Sequence, residues 1–266
     1  MMEPLNYKYL VASMGDSPDV DESGVCRFEG KIFQIVDPGQ PALPIGLFLF
    51  HVLDFVHGSE HGYGDEWLFD TLAAHQSYFQ ALYKPNGRLK PAVLERVFGR
   101  AADQEFERVL ILDWIQVAPS HRGRQIGQWV YRDVVRFYGA GCQAVLVKPE
   151  PFQFTARYQQ NPAGWEGLNL PLHLSEDQAR AKLIERLSRD GFKRVGATQV
   201  YLATPEEVNQ AYYRDLRVRR EKWRNNHGFT VVNHQSEPPQ NVVPSRGWTE
   251  AEFATFCNLL NNDFDV

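Results

Sequence analysis

The sequence predicts an α/β (α+β) protein, with one sheet carrying helices around it. Three observations lead there. Val109 to Gln128 reads V-L-I-L-D-W-I-Q-V-A-P-S-H-R-G-R-Q-I-G-Q: a β-branched apolar run, a proline, a basic glycine-containing loop and the start of an amphipathic segment. Three more strand-like runs lie upstream, separated by turn-rich loops. Several other segments repeat apolar residues at three- and four-residue steps, the period of a helix with one buried face.

Taken in order, Tyr7 to Ala12 is expected as a first strand, and the polar, acidic Ser13 to Gly24 as a loop. Lys31 to Val36 and Ile45 to Phe55 are the second and third strands. Asp37-Pro38-Gly39 breaks the chain between them, and together the strands suggest an antiparallel hairpin. His57 to Glu66 reads as a surface or substrate-facing loop. His51, His57 and His61 match no standard zinc spacing, so no metal is expected. Leu68, Leu72, His75, Phe79 and Leu82 mark an amphipathic helix, with His75 on its core side, ended by Pro85-Asn86-Gly87. Pro91 suits the first turn of another helix.

Pro119 ends the Val109 strand because it has no N–H for a ladder. Ile126, Trp129, Val130, Val134 and Phe137 then keep helical spacing up to Gly139-Ala140-Gly141. Ala144 to Lys148 is a short buried strand, stopped by Pro149 and Pro151. Phe152 to Leu174 is long and irregular, which suggests a lip over a substrate or cofactor. Ser175 and Gln178 form a capping box for a helix running to Asp190, and Gly191 closes it. Phe192 to Val195 and Gln199 to Ala203 are the last two strands. Thr204-Pro205-Glu206-Glu207 opens another capped helix. Its basic later half is interleaved with Asp215 and Glu221 and reads as a solvated face. Trp248, Thr249, Glu252 and Phe253 open a final short helix. Its apolar side is expected to dock on the main domain or on another subunit, as in a homo-oligomer.

Composition narrows the class. The 266 residues are 43% hydrophobic and carry a net charge of −5, so bulk charge gives no reason to expect a nucleic-acid partner. Three cysteines without a C-x-x-C argue against a disulfide framework or zinc site and suit a reducing compartment. The opening residues lack a secretory pattern. The longest apolar run, Leu43 to Val56, is shorter than a membrane span and holds His51 and Asp54. A cytoplasmic protein with no membrane partner is the expectation.

A strand, glycine loop and helix start form a physical recipe for holding phosphate. The first-turn N–H groups of a helix lack internal acceptors, and the helix dipole adds positive charge there. The chain has no Walker A pattern and no G-x-G-x-x-G. Arg122-Gly123-Arg124-Gln125-Ile126-Gly127 instead follows [QR]-x-x-G-x-[GA], except that Gln125 stands at the first glycine. With I-Q-V-A-P-S-H before it, this stretch resembles the central strand and acetyl-CoA loop of the Gcn5-related N-acetyltransferases (GNAT). Gly191-Phe192 resembles the end of that family's fourth helix. The bland alternative is an ordinary β–α turn with a basic surface.

The resemblance implies a GNAT-like, mostly antiparallel mixed sheet flanked by helices. It covers residues 1–204 as an acyltransferase domain with a helical insertion at about 65–103, followed by a C-terminal helical extension over 205–266. The family has two helices between its first two strands. Here the gap is short, and the helices fall between the third strand and the loop-bearing one, so either the helices have moved or the strand numbering is off.

The activity the resemblance implies is acetyl transfer from acetyl-CoA, as co-substrate, to a primary amine of a small molecule or peptide by direct attack. Ile115, Gln116, Val117, Arg122, Gly123, Arg124, Gln125, Ile126, Gly127 and Gln128 would hold the cofactor. The Val117 N–H would bond the thioester oxygen, and Asp113 would take the amine proton. Strand alternation is expected to put Ile111, Asp113, Ile115 and Val117 on one face. Leu187 stands where the family often places a proton-donating tyrosine. Tyr138, Tyr158 and Tyr212 are candidate substitutes. The acceptor pocket is expected beside Glu60, Asp65, Glu66, Trp165 and Glu166, which would suit a cationic amine. The competing reading is a catalytically idle acyl-CoA-binding or protein-interaction module.

Overall fold

The computed structural model describes residues 7–13, 24–34, 43–70, 76–99, 104–155 and 174–227. Seven strands form one sheet: β1 (Tyr7–Ser13), β2 (Val25–Gln34), β3 (Leu43–Asp54), β4 (Arg108–Val117), β5 (Ala144–Val147), β6 (Lys193–Arg194) and β7 (Tyr201–Ala203). Their order is β1-β2-β3-β4-β5-β7-β6. Every neighbouring pair is antiparallel except β4–β5. The mixed, mostly antiparallel sheet expected from the sequence is therefore the observed one.

Four short helices join β3 to β4: α1 (Phe55–Glu60), α2 (Asp65–Asp70), α3 (Gln76–Leu82) and α4 (Pro91–Phe98). α5 (Ile126–Tyr138) joins β4 to β5, α6 (Glu176–Arg189) precedes β6, and α7 (Pro205–His227) follows β7. The first four cover one face, where Leu68, Phe69, Tyr78, Leu82 and Val93 pack on Leu53, Val109, Ile111, Leu146 and Leu202. On the other face Ile126, Val130 and Val134 of α5, Leu187 of α6 and Val208 of α7 pack on Phe48, Phe50, Leu110, Leu112 and Val145. Burying both faces explains why the middle of β4 and all of β5 read as unbroken apolar runs rather than alternating ones.

Local signals hold well. Pro91 sits in the first turn of α4, and the Ser175–Gln178 capping box is formed in both directions. Other expectations shift. Lys31 to Val36 is only the later part of a strand that starts at Val25. The His57 to Glu66 "loop" is largely helical: Asp54 caps α1 by accepting the His57 N–H at 3.0 Å, so the third strand stops before Phe55. Of the helix expected across Leu68 to Leu82, α2 and α3 are described, while Leu72 and His75 lie outside the described residues. So do Tyr158, Trp165, Glu166 and the helix expected after Trp248.

Contacts divide the chain into Met1–Arg219 and Arg220–Val266. Val208 and Ala211 of α7 are buried, so the first turns of that helix belong with the sheet. Of the second unit, only the helix residues up to His227 are described. No helix among the described residues is long and apolar enough to cross a membrane.

Candidate active site

The site begins where two parallel strands part. β4 and β5 pair only from Val109–Ala144 to Leu112–Val147. β4 then continues to Val117 on β3 alone, while Pro149 and Pro151 follow β5 and deny it ladder donors. The parting coincides with a bulge: Phe50 faces Leu112 and Leu49 faces Trp114, leaving Asp113 as the extra residue.

The bulge corrects the expected alternation. Ile115 and Val117 pack on the same face as Leu110 and Leu112, while Val109 and Ile111 belong to the opposite core. Backbone direction follows from the same ladder. Ala118 donates to the Ile45 carbonyl at 2.7 Å, toward β3. Amides alternate sides along a strand, so those of Ile115 and Val117 point into the gap that β5 vacates. Arg122 Nε donates to the Val117 carbonyl at 2.9 Å and so ties the loop to the strand end.

The loop itself presents amides. The N–H groups of His121, Arg122, Gln128 and Trp129 have backbone acceptors, but those of Gly123, Arg124, Gln125, Ile126 and Gly127 have none among the described residues. Gly123 and Gln125 both take left-handed conformations, at φ 77 and φ 64, and Gln125 is the non-glycine exception among the described residues. That geometry is what the missing glycine would supply without strain. Gln125→Gly is expected to stabilise the fold by about 1 kcal/mol, since relief of about 1–2 kcal/mol outweighs the added chain entropy. A lowered melting temperature would instead assign the Gln125 side chain a stabilising contact.

Gln128 leaves the set of candidate cofactor contacts. Its amide donates to Gln125 O at 3.0 Å, and its buried side chain donates to Asp190 Oδ2 at 3.1 Å. The Ile126 side chain is core, so only its backbone is turned to the loop. Gly127 faces the gap: a Cβ there would meet Ile115 Cγ2 at 3.6 Å and Val117 Cγ2 at 3.7 Å, ordinary contacts that leave room for a methyl group but not for a ring.

The parting strands and α6 enclose a cleft of about 310 Å³. Asp113, Ile115, Gln116, Arg122 and Gly127 line it, whereas Val117, Gly123, Arg124 and Gln125 do not. Trp114 and Phe152 form an aromatic wall, with ring centroids 5.5 Å apart. Leu187 lines the cleft from α6, so an apolar side chain stands where the resemblance implies a proton donor. Tyr138 packs on Phe28 and Phe50 and Tyr212 on Trp129, and neither reaches the cleft. Tyr131, which the sequence reading did not single out, does reach it.

Asp113 is not a bare carboxylate. Its Oδ2 lies 2.5 Å from His51 Nδ1, with side-chain exposures of 15% and 4%. His51 comes from β3, opposite Ile111. Tyr78, wholly buried on α3, holds its proton well above the usual range, first through burial and then through the negative charges of Asp113 and Glu150. No signal in the sequence joined these residues, because they meet only across the sheet. The rings of His57 and His61 meet at a tilt, centroids 4.4 Å apart.

The acceptor loop is corrected as well. Nothing between His57 and Glu66 lines the cleft, and burial pushes the Asp65 carboxyl up from its ordinary value. The cleft carries Arg122, Lys148, Lys182 and Arg186 against Asp113 and Glu150, with Lys148 and Glu150 paired at 2.8 Å. Its balance is cationic, which argues for an anionic ligand rather than a cationic one. In α7, Arg214 donates to the Arg189 carbonyl at 3.0 Å and Asp215 accepts from Arg132 at 2.8 Å, so both side chains serve the fold. Compared with known proteins, the chain matches no family model, no curated protein and no solved structure.

Proposed function

We propose that the chain is an acetyl-CoA-dependent N-acetyltransferase of the Gcn5-related type. It would transfer an acetyl group to a primary amine of a small molecule or peptide by direct attack. The observation that carries this reading is the gap opened by the Asp113 bulge, joined to a loop whose amides from Gly123 to Gly127 lack protein acceptors. The loop amides and Arg124 would take the pyrophosphate. The pantetheine arm would lie along Ile115 to Val117, using the strand edge that β5 leaves unpaired. The Val117 N–H would then receive the thioester oxygen as charge develops on it. Asp113, steadied by His51, would accept the amine proton.

The test is calorimetric titration with acetyl-CoA. The wild type is expected to bind, and Gly127→Trp to bind about a hundredfold more weakly, a loss of about 2.7 kcal/mol. Equal binding by both proteins, or binding by neither, overturns the reading. A second reading, an idle acyl-CoA-binding module, draws on Leu187 in the cleft wall. Tight binding with no turnover across a broad amine panel would favour it.

A further inference from the structure

The cations of α6 divide by face. Away from the cleft, Arg180 pairs with Glu176 and Arg189 with Glu185, each across one helical turn. On the cleft wall, Lys182 and Arg186 are also one turn apart, but neither has an acidic partner or a side-chain hydrogen bond among the described residues. Like charges at that spacing weaken a helix, so a face that keeps two of them calls for an anion from outside the protein. Asp113 and Glu150, the carboxylates of the cleft, are held by His51 and Lys148 and do not neutralise the pair. Arg186 stands one turn before Asp190, which accepts from Gln128 in the first turn of α5 at 3.1 Å. The pair therefore lies beside the loop whose amides lack protein acceptors, on the wall next to it. Gln153 gives a second sign of a polar ligand. It is 8% exposed and lines the cleft, yet its side-chain amide makes no hydrogen bond among the described residues.

We infer that Lys182 and Arg186 hold the ribose 3′-phosphate of the acyl-CoA and so select that donor over thioesters that lack this phosphate. This rests on the acyl-CoA reading above, in either its enzymatic or its idle form. Acetyl-CoA carries two anionic groups joined by one ribose: the pyrophosphate and a phosphate monoester. The monoester carries about −1.5 to −2 charge at neutral pH. With the pyrophosphate on the loop amides and Arg124, the monoester needs cations within the reach of a ribose. A flexible ammonium and a forked guanidinium supply it with both charge and N–H donors. A thioester tethered to a carrier protein through a single phosphate offers nothing to the pair and leaves the two like charges unrelieved. The pair acts in recognition and takes no part in bond making.

The experiment titrates CoA and 3′-dephospho-CoA calorimetrically into the full chain, as wild type and as the Lys182→Gln, Arg186→Gln double variant. The wild type is expected to bind CoA about thirtyfold more tightly than the dephospho form, with the preference shrinking as salt rises. The double variant is expected to bind both alike, at the wild type's affinity for dephospho-CoA. Both positions are exposed, so the variant keeps the fold, and a melting temperature equal to or above the wild type's verifies it. The wild-type comparison stands without any variant. If the wild type binds both ligands equally, the 3′-phosphate has no site on α6, while the acyl-CoA reading stands. If the double variant prefers CoA as strongly as the wild type does, the phosphate is held elsewhere and the assignment is wrong. If the wild type binds neither ligand, the inference falls with the reading beneath it.

Discussion

Asp113→Asn is expected to slow the proposed acetyl transfer about a thousandfold while leaving the proposed acetyl-CoA affinity nearly unchanged. The attacking amine must lose a proton as the C–N bond forms, and a carboxamide cannot take it. Asn is close to Asp in size, and its amide oxygen can still accept from His51 Nδ1 across the 2.5 Å contact, so the bulge and the fold are retained. The loss then belongs to chemistry, and it appears in kcat rather than in the dissociation constant. His51→Gln is expected to give a smaller loss, because the carboxylate remains but its orientation is no longer fixed. Unaltered turnover by Asp113→Asn would exclude Asp113 as the base. Equal losses in kcat and in urea resistance would mark the pair as structural only.

The second large effect lies away from the cleft. Arg132 is 2% exposed and Asp190 is 0% exposed; they are in direct contact, and Arg132 also donates to Asp215 and lies 5.7 Å from the Trp129 ring centroid. This cluster fastens α5 to the end of α6 and to α7. Arg132→Met is expected to destabilise the protein by about 3–5 kcal/mol, because it strands a buried carboxylate with Gln128 as its remaining close donor. Burial already pushes the Asp190 carboxyl up to about 6, with Asp215 adding to the rise and Gln128 and Arg214 opposing it. The folded value lies above the ordinary 3.8, so the stabilising contribution of the protonated form is present below about pH 4 and lost as pH rises through about 6. Without Arg132 the carboxyl rises further, and the variant's deficit should therefore be larger at pH 7.5 than at pH 5. Urea midpoints at the two pH values check this, and Asp190→Asn in the Arg132→Met background should recover most of the loss. An unchanged midpoint would show that the buried pair contributes nothing.

Much of the fold was legible in the residues. The Val109 to Gln128 stretch folds as the strand, loop and helix that its pattern indicated, and α6 starts at the expected capping box. Less of the candidate site was legible. Asp113, Ile115, Gln116, Arg122 and Gly127 do converge on one cleft, but Gln128 turns inward to Asp190, and residues 57–66 lie elsewhere. A helical period marks Gln128 and Tyr131 as members of one element. It does not say that the first meets a carboxylate 62 residues away while the second borders a gap between strands.

What the sequence by itself determined about this protein is what acts within a few residues. A proline without an N–H ends β4, a serine and a glutamine cap α6, and apolar runs choose strands. What only the tertiary structure decided is which of those residues share a site. The bulge at Asp113 exists because β4 has one more residue than β3 across Leu49 and Phe50, a mismatch that no window on β4 alone contains. That single extra residue moves Ile115 and Val117 to the other face, brings Asp113 against His51, and marks where β5 departs. Side chains alternate along a strand with period two, so one unpaired residue reverses every face beyond it.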